Sequence, residues 1–106
     1  MTKEIWKPIS TSMYFYSDLI NTDYEVSNMG RIRNVKTGKE IHPFPNQKGN
    51  KRKWTMHGRY SDGWPYTLQF LVDHTVYEAF VGSCYEKELK HKDGNNFNDT
   101  LENLCI

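Results

Sequence analysis

The chain has 106 residues, 37% hydrophobic and 14% aromatic, which suits one domain with a small aromatic-rich core rather than two domains. Fourteen basic residues stand against thirteen acidic ones, a formal net charge of +1; this excludes a strongly basic tail and an acidic solubilising segment but leaves room for a local positive patch. The cysteines, Cys84 and Cys105, form no CxxC unit, and no run of about 18 apolar residues occurs, so the expectation is a reduced cytoplasmic protein with no cysteine zinc site, signal peptide or membrane span.

Residues 1–23 hold Trp6, Ile9, Met13, Tyr14, Phe15, Tyr16, Leu19 and Ile20, enough apolar mass to seal one side of a small sheet as a strand or an irregular packed segment. Alternation sharpens from Tyr24. Tyr24–Ser27 and Arg31–Val35 read as strands joined by Asn28-Met29-Gly30, residues that tolerate positive φ. Lys36–Lys39 turns the chain again, and Glu40–Phe44 supplies a third short antiparallel strand. After a loop over residues 45–53, Trp54 and Met56 alternate with Thr55 and His57, Ser61-Asp62-Gly63 signals a hairpin, and Tyr66–Val72 is the strongest strand candidate. Asp73 is expected to cap a short helix whose Val76, Ala79 and Phe80 share one face, with Gly82 closing it. Residues 86–92 read as extended and Asp93–Asn96 as a tight loop, and Asp99 with Glu102 has the spacing of a capping box.

The expected fold is therefore α+β: small antiparallel hairpins with one short helix. Its halves are expected to be a β-rich module at 1–56 and a second region at 57–106, packed as one unit.

Two groups of residues could carry function. Between Ile41 and Ser61 there is no acid, and Lys48, Lys51, Arg52, Lys53 and Arg59 interleave with Trp54 and Tyr60. Cations can hold phosphates and rings can stack or make apolar contacts, although a solvated basic surface has the same composition. Arg31 and Arg33, two apart on a strand, should share a face and could reach phosphate or base edges. Among the four histidines, His91 stands out at a strand end before Lys92-Asp93-Gly94-Asn95. An imidazole held there could serve as a general base, or could simply brace an Asn-rich loop.

Two segments together resemble the phage and intron-encoded HNH homing endonucleases. Glu4–Ile9 followed by Tyr24–Asn34 is similar to their N-terminal DNA-binding module, and His91–Asn95, Asn98 and Glu102-Asn103-Leu104 are similar to the first half of the HNH motif. Leu71–Phe80 stands where that family has a short helix. The resemblance implies that His91 matches the general base and Asn103 the loop-holding Asn, with one divalent ion stabilising the scissile phosphate. The family often has a metal-binding Asp before this histidine, where this chain has Lys90, and its next ligand lies on a helix beyond Asn103, whereas the sequence stops at Ile106. The expectation is therefore a partial ββα-like region lacking its last helix, vestigial His91 and Asn103, no metal ligands and no cofactor.

The expected function is that of a phage-type protein that binds double-stranded DNA through Arg31, Arg33, Lys51, Arg52, Lys53, Trp54 and Arg59. Two alternatives remain open. One is an active nicking endonuclease using Mg²⁺ or Mn²⁺. The other is an inhibitor of a host nuclease or polymerase that meets its partner through Tyr14, Phe15 and Tyr16.

Overall fold

A computed structural model describes residues 3–9, 23–59, 62–82, 84 and 87–106, with the side chain of Arg59 excepted. The aromatic run Tyr14–Tyr16 and Tyr60 lie outside the described residues.

The first half is an antiparallel meander of four strands in chain order: β1 (Trp6–Pro8), β2 (Tyr24–Ser27), β3 (Ile32–Asn34) and β4 (Lys39–Ile41). Its register places Val26 opposite Ile32 and Ile32 opposite Ile41. Because side chains alternate across a strand, this row faces inward with Tyr24, and Val26 and Ile32 are fully buried. The turn after β2 is the one expected from Asn28-Met29-Gly30, and Gly30 adopts φ 80°, a conformation costly for residues with a Cβ. Ser27 Oγ accepts from the amides of Met29 and Arg31 and secures the turn from inside.

The second sheet orders β5 (Phe44–Pro45), β6 (Arg52–Arg59) and β7 (Pro65–Leu71), all antiparallel. In the β6–β7 ribbon, Trp54 and Met56 face inward and are fully buried, while Lys53, Thr55 and His57 occupy the opposite face. The β6 strand runs across the boundary expected between residues 56 and 57. The Tyr24 hydroxyl of the first sheet donates to the His57 carbonyl and accepts the His57 amide, so the two sheets are stitched at mid-strand.

The chain passes from β7 into α1 (Val72–Phe80) without a loop. Leu71, in extended conformation, is the N-cap and contributes no side-chain hydrogen bond. The capping role expected of Asp73 is thus corrected: with no residue between strand and helix, Asp73 falls within the first turn and its side chain is buried. Val72 and Val76 of α1 are fully buried, with Ala79 and Phe80 packed against the same core. Finally β8 (Lys90–His91) pairs with β9 (Leu104–Cys105), closed by a long loop ending in a 3₁₀ turn, Leu101–Asn103. The capping box expected from Asp99 and Glu102 does not form, because Thr100 is the N-cap, without a side-chain capping bond, and the Asp99 carboxylate points elsewhere. Among the described residues no helix is long and apolar enough to cross a membrane.

Candidate functional site

Strand alternation in β8 sends Lys90 outward and His91 inward. The His91 side chain is 1% exposed and its Nε2 lies 2.8 Å from Asp99 Oδ1 and 3.8 Å from Asp73 Oδ2. Asp73 comes from the first turn of α1, where the helix dipole favours a carboxylate, and Asp99 from the loop before the 3₁₀ turn. These three residues present ligand-type atoms within 4.8 Å of one another. The sequence-based expectation named no metal ligand beside His91; two carboxylates nonetheless pack against the imidazole. Asp73 and Asp99 are 18 and 8 residues away along the chain, and only tertiary packing unites them.

Two cations close the cluster. Lys51 Nζ lies 2.6 Å from Asp73 Oδ2, and Arg52 Nε lies 2.8 Å from Asp99 Oδ2. Asp73 Oδ1 accepts the amide of His74 at 2.7 Å. Every carboxylate oxygen is therefore engaged: the Asp73 pair by Lys51 and a backbone amide, the Asp99 pair by Arg52 and His91. With a neutral imidazole the two negative charges are matched by two positive ones. A divalent ion of the kind the resemblance implies does not fit these residues as placed, because it would meet filled acceptors and two adjacent cations.

The loop after His91 is held by Asn103. Its Oδ1 accepts the Asp93 amide at 3.0 Å, and its Nδ2 donates to Asp93 Oδ1 and to the Asn98 carbonyl. Hydrogen bonds from the side chain of Asn98, the amide of Asn95 and the side chain of Asn103 hold the Asp93 carboxyl below its usual range. The N-terminal turn braces the same loop from the other side: Leu101 donates its amide to the Asn28 carbonyl, and a Cβ on Gly30 would come within 3.0 Å of the Asp99 carbonyl oxygen. The side chain of Asn28 meanwhile bonds Ile5 and Lys3. Asn28-Met29-Gly30 was legible in the sequence as a turn, but its role as a seat for the Asp99 loop was not.

The sequence-predicted DNA-binding residues separate into four groups. Trp54 is fully buried and donates from Nε1 to Thr75 Oγ1, so its expected place at a nucleic-acid groove is corrected: it points into the core with Met56. Lys51 and Arg52 turn inward to the two acids rather than outward to phosphates. Arg31 and Arg33 do share a face, both over the ring of Trp6 at 5.5 and 4.0 Å. There Arg31 is paired with Glu4 and Glu40, and Arg33 with Glu25, so the two cations are already met by three carboxylates. Lys53 remains on the outer face of the ribbon, where its amine donates to Gln69. Beside His91 an open cleft of about 670 Å³ is lined by Asn50, Lys51, His74, Lys87, Lys90 and Asn96.

A histidine on a short strand and an Asn on the return that fixes the intervening loop thus stand together on an α+β scaffold. Residues 4–55 match the NUMOD4 motif. The fold is similar to the solved structure described as "DNA binding and cleavage by the HNH homing endonuclease I-HmuI", at 26% identity and a TM-score of 0.70, over 94% of this chain and 50% of that one. The chain thus spans half the length of that structure. No match was found among curated proteins. The chain is related to the HNH homing endonucleases and carries a NUMOD4 motif.

Proposed function

We propose that this chain binds double-stranded DNA and does not itself hydrolyse it. The reading is carried by one observation: the His91 side chain is 1% exposed and its Nε2 is held by Asp99 at 2.8 Å, so the imidazole is withdrawn from the water whose proton a general base would take. The relationship to a DNA-binding and DNA-cleaving enzyme supports DNA as the ligand.

The surface best suited to contact DNA is the outer face of the β6–β7 ribbon, with Lys53, Thr55 and His57 opposite Leu71, Gln69 and Thr67. A two-stranded ribbon fits the major groove, and Lys, Thr and Gln side chains offer hydrogen bonds to base edges and phosphates. The loop before β6 adds an exposed Lys48 and is held in shape by Asn46, whose Oδ1 accepts the amides of Asn50 and Lys51.

The test is fluorescence anisotropy with duplex DNA over a salt series, run beside a supercoiled-plasmid assay in Mg²⁺ and Mn²⁺. Binding is expected to weaken steeply with salt, and Lys48→Ala with Lys53→Ala to reduce the slope by about 2 in log–log terms. The plasmid is expected to stay intact. Nicking that disappears in His91→Ala would replace this reading with that of an active endonuclease, and absence of salt-dependent binding would remove DNA as the ligand.

A further inference from the structure

We infer that Lys51 and Arg52 are resident counter-ions: they provide, from within the chain, the positive charge that a divalent ion would otherwise bring to Asp73 and Asp99. The inference extends the non-cleaving reading of His91, but its readouts use no DNA.

Three features of the cluster carry it. First, the Asp73 oxygen that faces the imidazole, Oδ2 at 3.8 Å from His91 Nε2, is the same oxygen that the Lys51 ammonium holds at 2.6 Å. The amine therefore stands at the acceptor that a metal shared between Asp73 and His91 would need. Second, Asp73 and Asp99 are both 1% exposed, and two buried carboxylates a few ångströms apart cannot stay ionised without compensating charge. Third, Lys51 and Arg52 are consecutive, the one just before β6 and the other its first residue, and their side chains reach different acids, Lys51 that of the helix and Arg52 that of the loop. One dipeptide at the start of β6 thus ties α1 and the Asp99 loop together around His91. Lys90 and Lys92, the cations that flank His91 in sequence, are exposed and form no part of it.

The consequence is a site closed to divalent cations in the native chain and opened by removing one amine. Lys51→Met keeps the length of the side chain and deletes its charge, leaving Asp73 Oδ2, His91 Nε2 and Asp99 Oδ1 grouped without the ammonium. The full chain is melted by circular dichroism in EDTA and in rising Co²⁺ or Mn²⁺, and Co²⁺ binding is followed by visible absorption. Wild type is expected to melt at one temperature in all conditions and to give no Co²⁺ spectrum. Lys51→Met is expected to melt about 10 °C lower in EDTA, to recover as Co²⁺ is added, and to bind it at least tenfold more tightly than wild type. Adding Asp73→Asn is expected to abolish the recovery. A wild-type melting temperature that rises with metal and no longer does so in Asp73→Asn would overturn the inference, as would a Lys51→Met protein indifferent to Co²⁺. If Lys51→Met alone does not fold, the Lys51→Met/Asp73→Asn double variant decides. Melting near wild type supports mutual neutralisation of the pair, and failure to fold overturns it.

Discussion

Replacing Trp54 with Phe separates a core role from a DNA-stacking role. The indole is fully buried, tilted against Tyr24 at 5.4 Å and Phe70 at 5.5 Å between ring centroids, and its Nε1 donates to Thr75 Oγ1 at 2.8 Å. Thr75 in turn donates to the Leu71 carbonyl, so the indole is linked to the junction where β7 becomes α1. Phenylalanine keeps an aromatic ring between the same neighbours but loses the donor and part of the volume. The lost hydrogen bond costs about 1 kcal/mol. The unfilled space adds about 1–2 kcal/mol, in the range of partial truncations in packed cores. The sum of about 2–3 kcal/mol corresponds to a fall in Tm of roughly 10–20 °C for a domain of this size. Thermal denaturation measures that fall, and anisotropy at a temperature where the variant is fully folded measures DNA affinity, expected to stay within about twofold of wild type. A Tm unchanged within a few degrees together with a large loss of affinity would refute the assignment of Trp54 to the core.

The remaining expectations concern other parts of the fold. At Gly58 a Cβ would collide with the phenol ring of Tyr66, so Gly58→Ala is expected to lower stability by about 1–3 kcal/mol in chemical denaturation, and Gly58→Ala/Tyr66→Leu to recover part of it. Arg31→Ala removes two exposed ion pairs and is expected to leave thermal stability nearly unchanged and to alter DNA affinity by less than about twofold, because the guanidinium is already held by Glu4 and Glu40 and is not free for phosphate. Burial, reinforced by the carboxylate of Glu78, pushes the Cys84 thiol up to about 11. The unfolded thiol ionises first, so the native state holds more protons between the ordinary thiol value and 11, and stability is expected to decline as pH rises through that window. In the folded protein iodoacetamide is accordingly expected to label the partly exposed Cys105 well before the buried Cys84, as peptide mass mapping would read.

The local elements were legible in the sequence because their causes are local. Alternation over Tyr24–Ser27 and across Trp54 and Met56, the positive-φ turn at Gly30 and the short helix carrying Val76 follow from side-chain period and backbone sterics within a few residues. His91 and Asn103 stood out through the resemblance to the HNH motif, and the loop between them is closed by hydrogen bonds from Asn103. Which way a charged or aromatic side chain faces was another matter. A basic run reads alike whether its cations meet phosphates or buried acids, and Lys51, Arg52 and Trp54 turned inward because Asp73, Asp99 and Thr75 stand behind the β6–β7 ribbon. Those partners lie 22, 47 and 21 residues further along the chain. Charge compensation in a buried cluster depends on distances of a few ångströms, and only packing the helix and loop around His91 set them.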